Sequence, residues 1–159
     1  MPNGRYYTVF FNDVTVTAAQ DLFELVPAAT CCTEILEIHL SQQTEVGDAM
    51  EEMLNIVVKS GQTTTGSGGS TPTPVPLSFG DAAAETVTKA NNTTKATAGT
   101  IVTHYAWWWN ERVPFDVVFT PETTITLPPS RRLTIELVGA PGDTMDISGY
   151  VVFKEYGGA

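Results

Sequence analysis

The runs Arg132-Leu-Thr-Ile-Glu-Leu-Val138 and Met145-Asp-Ile-Ser-Gly-Tyr-Val-Val-Phe-Lys-Glu155 decide the fold of this chain. In the first run, apolar side chains alternate with polar ones at the period of a strand that buries one face. The second run continues this pattern, and Gly149 on its buried face leaves room for another side chain to cross close above it. The connection Gly139-Ala-Pro-Gly-Asp-Thr144 is rich in residues that turn the chain. We therefore expect a β-hairpin with one apolar face, which the rest of the chain must cover.

The composition predicts a mostly β protein. Hydrophobic residues make up 42% of the 159 residues, which is enough for a core, and charged residues only 16%. Thr, Val and aromatic residues are common, and these side chains suit pleated strands better than helices. The length favours a single domain over residues 1–159.

The charge of the chain limits its partners. A net charge of −10 repels nucleic acid, so we expect no nucleic-acid partner, and the charge favours either solubility or a basic protein partner. No apolar run approaches the length of a membrane span, and no secretory signal precedes the first predicted strand, so we expect no membrane partner and synthesis in the host cytoplasm. The adjacent Cys31 and Cys32 point to opposite faces of a strand and suit a reducing compartment.

Alternating runs continue through the chain and give about nine strand candidates at the spacing of a sandwich. Thr44–Met53 is the one segment with helical spacing, and it predicts one or two helical turns or an acidic loop. We predict a single antiparallel β-sandwich of jelly-roll or Greek-key type with long loops. Its predicted core residues are Leu36, Ile38, Leu40, Ile56, Val58, Leu133, Ile135, Leu137, Ile147, Val151 and Phe153.

The segment Gly61–Pro76 differs in kind, because it is built almost entirely of Gly, Ser, Thr and Pro. Such a composition is typical of a linker, flexible at its glycines and stiff at its prolines. A linker here would leave two parts too small for good cores. We therefore predict an exposed loop at residues 61–76 within one domain.

Motifs for catalysis or metal binding are weak. His39 and His104 are the only histidines, and neither has a second ligand at metal-binding spacing. No serine lies in a strand–turn–helix context, and the Gly-rich loop lacks the lysine of a phosphate-binding loop. We expect a protein that is not an enzyme, with no catalytic residue, cofactor or metal.

The most informative local feature is Trp107-Trp108-Trp109. In an extended strand, alternate rings point to opposite faces, so at least one tryptophan faces outward. Three interpretations are open: burial of all three rings under neighbouring loops, an anchor at a subunit or partner interface, or a platform for a sugar ring. We predict that part of a set of five aromatic residues lies at a subunit or capsid contact. The set is Tyr105, Trp107, Trp108, Trp109 and Phe115.

Several short pieces of the sequence resemble one group of proteins. The pieces are Ala18–Pro27, Gly66–Leu77 with Gly80-Asp-Ala-Ala83, Ala90-Asn-Asn-Thr93, and Ser148–Glu155 with Gly157-Gly158. Together they resemble small proteins encoded in the structural gene regions of tailed phages and prophages. The resemblance implies a virion structural protein, most plausibly a capsid decoration (cement) protein that sits on the assembled head.

This resemblance gives the functional expectation. We expect a non-enzymatic protein that binds the major capsid protein on the outer surface of the capsid and stabilises it. An acidic exterior suits the outside of a DNA-filled shell better than the inside. Jelly-roll subunits often associate around an axis, so a homotrimer is expected. The alternative is a carbohydrate-binding module of a phage fibre or head appendage, with the exposed tryptophan as the sugar platform.

Overall fold

The computed structural model describes residues 4–44, 47 and 51–157, which contain eleven β-strands and no helix. The strands are β1 (Arg5–Val16), β2 (Gln20–Val26), β3 (Cys31–Gln42), β4 (Met53–Ser60), β5 (Val75–Pro76), β6 (Val87–Asn92), β7 (Val102–Asn110), β8 (Phe115–Val118), β9 (Ile125–Leu127), β10 (Leu133–Leu137) and β11 (Met145–Gly157). The all-β prediction is therefore confirmed. Half of the segment predicted to have helical spacing, at residues 45, 46 and 48–50, lies outside the described residues.

The strands form two antiparallel sheets. The six-stranded sheet has the order β5-β1-β11-β3-β8, and β9 also pairs with β3. The five-stranded sheet has the order β6-β2-β10-β4-β7. Buried apolar side chains from both sheets make one cluster among the described residues. Residues 1–159 as one domain stay a prediction.

The predicted closing hairpin is wrong. β10 pairs with β2 and β4, whereas β11 pairs with β1 and β3 in the other sheet. Alternation identifies which face of a strand is buried, but it does not identify the strand's hydrogen-bonded neighbour. The 138–144 connection is long enough to cross the roughly 10 Å between packed sheets. The two apolar faces therefore lie in opposite sheets.

The predicted core is confirmed at every position except Leu36. A β-bulge in β3 places Glu37 opposite Val152 and Ile35 opposite Phe153, so Leu36 has no partner on β11. The extra residue shifts the alternation by one position. As a result Ile35 is fully buried and Leu36 is only half-buried.

The close approach predicted at Gly149 is confirmed. A methyl group at this position would lie 2.7 Å from Leu40 Cδ2 and 3.3 Å from Phe11 Cζ. A side chain here would meet the Leu40 and Phe11 side chains of the two neighbouring strands, and His39 O at 2.9 Å, so the position suits glycine.

The predicted loop at residues 61–76 is hydrogen-bonded to the rest of the protein at several points along its length. Single β-bridges join Thr64 to Thr97, Ser67 to Thr94 and Ser70 to Ala90, and Pro74 is buried. Many of its side chains remain exposed, including those of Thr63, Thr64 and Thr65. The segment therefore lies against the protein as an ordered cover.

Candidate functional site

The three consecutive tryptophans have different environments. Trp108 is 66% exposed, whereas Trp109 is 3% exposed and its indole N–H donates to Val113 O at 2.6 Å. Trp107 is half-buried and packs against the core. The interpretation in which all three rings are buried is wrong, because the pleat of β7 turns the middle ring outward.

Four of the five predicted interface residues pack inside the chain. Tyr105 stacks on Trp107 with ring centres 5.3 Å apart, and Trp107 meets Phe115 edge-on at 5.4 Å. Tyr105 also packs against Phe119 and donates its hydroxyl to Thr123 O at 2.6 Å. These contacts, with the buried Trp109, close one side of the sandwich. Trp108 is the member of the predicted set whose ring is mostly free.

Trp108 lies on an open edge. β7 pairs with β4 on one side, and no described strand pairs with its other side. The opposite edge of the same sheet, β6, is met by the bridge from Ser70 to Ala90. An edge strand presents unpaired N–H and C=O groups, and β7, at nine residues, contains neither lysine nor proline to block pairing. This edge can therefore accept an added strand or a partner surface.

The outer face of the five-stranded sheet is covered by the chain itself. Glu24 on β2 is 2% exposed, and four donors bind its carboxylate. They are Arg132 Nε at 2.7 Å, Thr65 Oγ1 at 2.7 Å, Gly66 N at 3.0 Å and Asn92 Nδ2 at 3.0 Å. A buried carboxylate held by a cation and three hydrogen bonds fixes the 61–76 segment over the sheet.

A second buried polar group extends this cover. Glu136 on β10 accepts from Lys59 Nζ at 2.8 Å and Lys95 Nζ at 2.7 Å. Burial raises the pKa of Glu136, but the hydrogen bonds from the two lysines outweigh it and lower the pKa overall. Nearby, Asp21 accepts from Ala96 N at 2.7 Å. Burial is the main cause that raises the pKa of Asp21 from 3.8 to about 6.

This polar layer is not among the features predicted from the sequence. Glu24 stands within Leu22-Phe-Glu-Leu25, where every side chain is buried. A strand covered on both faces reads as a nearly continuous buried run. Acidic residues inside such a run were the available signal.

The outer face of the six-stranded sheet is open by comparison. A groove of about 410 Å³ crosses it, lined by Phe10, Asn12, His39, Ser41, Ser148 and Tyr150. The His39 and Tyr150 rings stack with centres 4.9 Å apart. Aromatic faces and small polar groups thus line the groove together.

The two histidines lie apart. His39 is on the six-stranded sheet, with Nδ1 3.7 Å from Asp116 Oδ1. His104 is on the five-stranded sheet, with Nε2 2.8 Å from Ser60 Oγ. Within the described ranges, no group of three or more His, Cys, Asp or Glu side chains is placed to hold a metal ion. The described part of the chain also has no helix long and apolar enough to cross a membrane.

No protein-family model and no curated protein matches the sequence significantly. Among solved structures, the chain is similar to the infectious bursal disease virus Gx strain structure, at 12% identity and a TM-score of 0.29 over 96% of this chain and 32% of that one. The subviral particle of VP2 from infectious bursal disease virus gives 11% identity and a TM-score of 0.21 over 99% and 43%. VP17, a capsid protein of bacteriophage P23-77, gives 12% and 0.12 over 97% and 89%. The chain therefore spans about a third to two fifths of the first of these structures, and likenesses this weak support no argument about function.

Proposed function

We propose that this protein is a non-enzymatic virion protein that binds the outer surface of the assembled capsid and stabilises it, as a homotrimer. The proposal rests on the resemblance of its short sequence pieces to phage structural proteins. The observation that carries the contact itself is Trp108, which is 66% exposed on the open edge strand β7. Tryptophan is enriched among residues that dominate binding energy at protein interfaces.

The strand order supports this proposal. Without the short or flanking strands β5, β6 and β9, the sheets have the orders β1-β11-β3-β8 and β2-β10-β4-β7. Eight antiparallel strands in these orders are compatible with the double Greek key of a jelly roll, an architecture that also occurs in viral capsid domains. Architecture alone does not fix function, so the proposal depends on the binding experiment.

Binding to heads tests the proposal. Heads purified from the virus without this protein are mixed with it, sedimented, and then heated in the presence of a DNA-binding dye. We expect saturable binding and a higher temperature of DNA release. Trp108→Ala is expected to weaken binding about 30-fold, the loss that corresponds to about 2 kcal/mol. Val87→Ala, an exposed apolar residue on β6, is the matched control and should leave binding unchanged. Failure of the wild-type protein to bind heads would refute the proposal.

Light scattering tests the oligomer. A trimer has three times the 17.1 kDa mass of one chain, and we expect this mass at micromolar concentration. A monomeric mass in solution, together with binding to heads as single subunits, would contradict the homotrimer.

The alternative function is a carbohydrate-binding module of a fibre or head appendage. The specific observation in its favour is again the exposed ring of Trp108, because an aromatic face can stack on the apolar face of a sugar. A glycan array separates the two functions. Specific sugar binding that Trp108→Ala abolishes would favour the module, and retention on heads without sugar binding would favour the capsid protein.

A further inference from the structure

The two outer faces of the sandwich carry different charge. Four of the chain's eight Lys and Arg residues lie on the outer face of the five-stranded sheet and bind groups of its own cover. They are Lys59, Lys89, Lys95 and Arg132. Charge on that face is therefore largely balanced within the chain.

The outer face of the six-stranded sheet is arranged in rows across its strands. In one row, Phe10 pairs with Tyr150, Tyr150 with His39, and His39 with Asp116. Phe10 is 55% exposed, at the β1 end of the row, and the Asp116 carboxylate is exposed at the β8 end. The row therefore runs from an apolar ring to a negative charge.

The neighbouring rows also carry a carboxylate on β3. Val152 pairs with Glu37 in one row, and Lys154 pairs with Glu34 in the next. Carboxylates thus lie on β3 and at Asp116 on β8, next to the exposed Val118, while Tyr150, Val152 and Lys154 follow β11. Burial is the main cause of the raised pKa of the Tyr150 hydroxyl, and the negative charges of Asp116 and Glu37 raise this pKa further. The negative field of the carboxylates therefore reaches the aromatic rings.

The rings of this face already bind one cation. Lys154 Nζ lies 5.3 Å from the centre of the Tyr6 ring and 4.6 Å from that of Tyr156. Tyr156 in turn donates its hydroxyl to Glu34. The face thus contains an internal example of a cation placed between aromatic rings and beside a carboxylate.

We propose that the outer face of the six-stranded sheet is a second docking surface, apart from the Trp108 edge, for an arginine-bearing protein surface, which in the proposed function belongs to the capsid. A guanidinium can stack on Phe10 or Tyr150 and pair with Asp116 or Glu37 through its planar fork. A lysine ammonium can pair with the carboxylates but lacks the planar stacking surface. Charge complementarity favours this occupant, because the chain carries a net charge of −10. The inference rests on the proposed function and adds the face and the chemistry of its partner.

Binding to heads tests the face with charge-matched variants. Glu37→Gln combined with Asp116→Asn removes two charges from the face, and Asp81→Asn combined with Asp143→Asn removes two charges from connections outside this face and outside β7. We expect the first variant to weaken binding about tenfold or more and the second less than about twofold. Equal effects of the two variants would overturn the docking face while leaving head binding, and hence the proposed function, intact.

A peptide probe tests the same face without heads. Amide NMR spectra are recorded during titration with acetylated, amidated hexa-arginine, and then with the matching hexa-lysine peptide, at low salt. We expect the largest shifts at Tyr150, Val152 and Glu37, with tighter binding of the arginine peptide. Shifts spread evenly over all exposed acidic residues, or equal binding of both peptides, would overturn the inference. If the wild-type protein does not bind heads but the peptide result holds, the proposed function fails and the arginine-binding face stands.

Discussion

Trp108 and Trp109 are neighbours in the chain, yet their rings lie on opposite faces of β7, one 66% and the other 3% exposed. The indole of Trp109 also donates to Val113 O, so the hydrogen bond closes the turn that follows the strand. Of these two adjacent tryptophans, Trp109 thus packs in the core, and Trp108 is available for contact with a partner.

Replacing each tryptophan by alanine should therefore change the free energy of unfolding by very different amounts. Trp109→Ala removes a large buried ring, and we expect it to lower the free energy of unfolding by about 3–5 kcal/mol. Trp108→Ala should change it by less than about 0.5 kcal/mol. Urea unfolding followed by far-UV circular dichroism measures both. Comparable destabilisation by the two variants would mean that Trp108 is covered in solution.

Asp21 should make stability depend on pH. Because burial raises the pKa of its carboxyl from 3.8 to about 6, the folded state binds the proton more tightly than the unfolded state. The associated stabilisation is fully present below about pH 3.8 and is lost as the pH rises through about 6. Asp21→Asn keeps an acceptor for Ala96 N–H and stays neutral. As the pH rises from 4 to 7, we expect the free energy of unfolding of the variant to increase by on the order of 2 kcal/mol relative to that of wild type.

Urea unfolding at several pH values measures this difference. Asp143→Asn, in the exposed 138–144 connection, is the control for the change in net charge. A constant difference between wild type and Asp21→Asn across this range would show that Asp21 does not titrate there.

Glu24 and Arg132 should be strongly coupled. Arg132→Met leaves the buried Glu24 carboxylate without its cation, and we expect a loss of about 3–5 kcal/mol in the free energy of unfolding. Adding Glu24→Gln removes the unpaired charge, so the double variant should be more stable than Arg132→Met alone. Urea unfolding of both single variants and the double variant measures the coupling. Additive losses would contradict a buried ion pair.

Gly69 should be intolerant of a side chain. A methyl group there would lie 2.1 Å from Ala90 O, against the backbone of β6. We expect Gly69→Ala to cost about 1–3 kcal/mol and to speed hydrogen exchange at the Ser70 amide, which donates to Ala90 O. Gly139→Ala is the control, because nothing lies within 4 Å of its added methyl group. A neutral Gly69→Ala variant with unchanged exchange would mean that the 61–76 segment is not held against β6.

Period-two patterning predicted the fold class and nearly all of the chosen core, because one buried face is visible in the sequence of a single strand. The prediction that Leu36 is buried was wrong because a bulge inserts a residue without any local sign in the alternation. The prediction of a closing hairpin was wrong for a different reason. The pairing of strands depends on contacts far apart in the sequence, and both sheets have an apolar face against which either strand could pack.

The candidate site was predictable only in part. The alternation of Trp107, Trp108 and Trp109 correctly required an outward ring, but spacing could not show that Tyr105 would stack on Trp107 and meet Thr123. The cover over Glu24 depends on Thr65 and Gly66, 41 and 42 residues away along the chain. Contacts at this separation are set by the assembled sheets and not by any local pattern.

The position of β11 has a consequence for biosynthesis. It follows all the other described strands in the sequence, yet it lies between β1 and β3 in its sheet. Until β11 has been synthesised, β1 and β3 have no strand between them and their facing edges stay unpaired. Completion of the sheet must therefore follow translation of β11, and pairing between strands this far apart in the sequence is intrinsically slow.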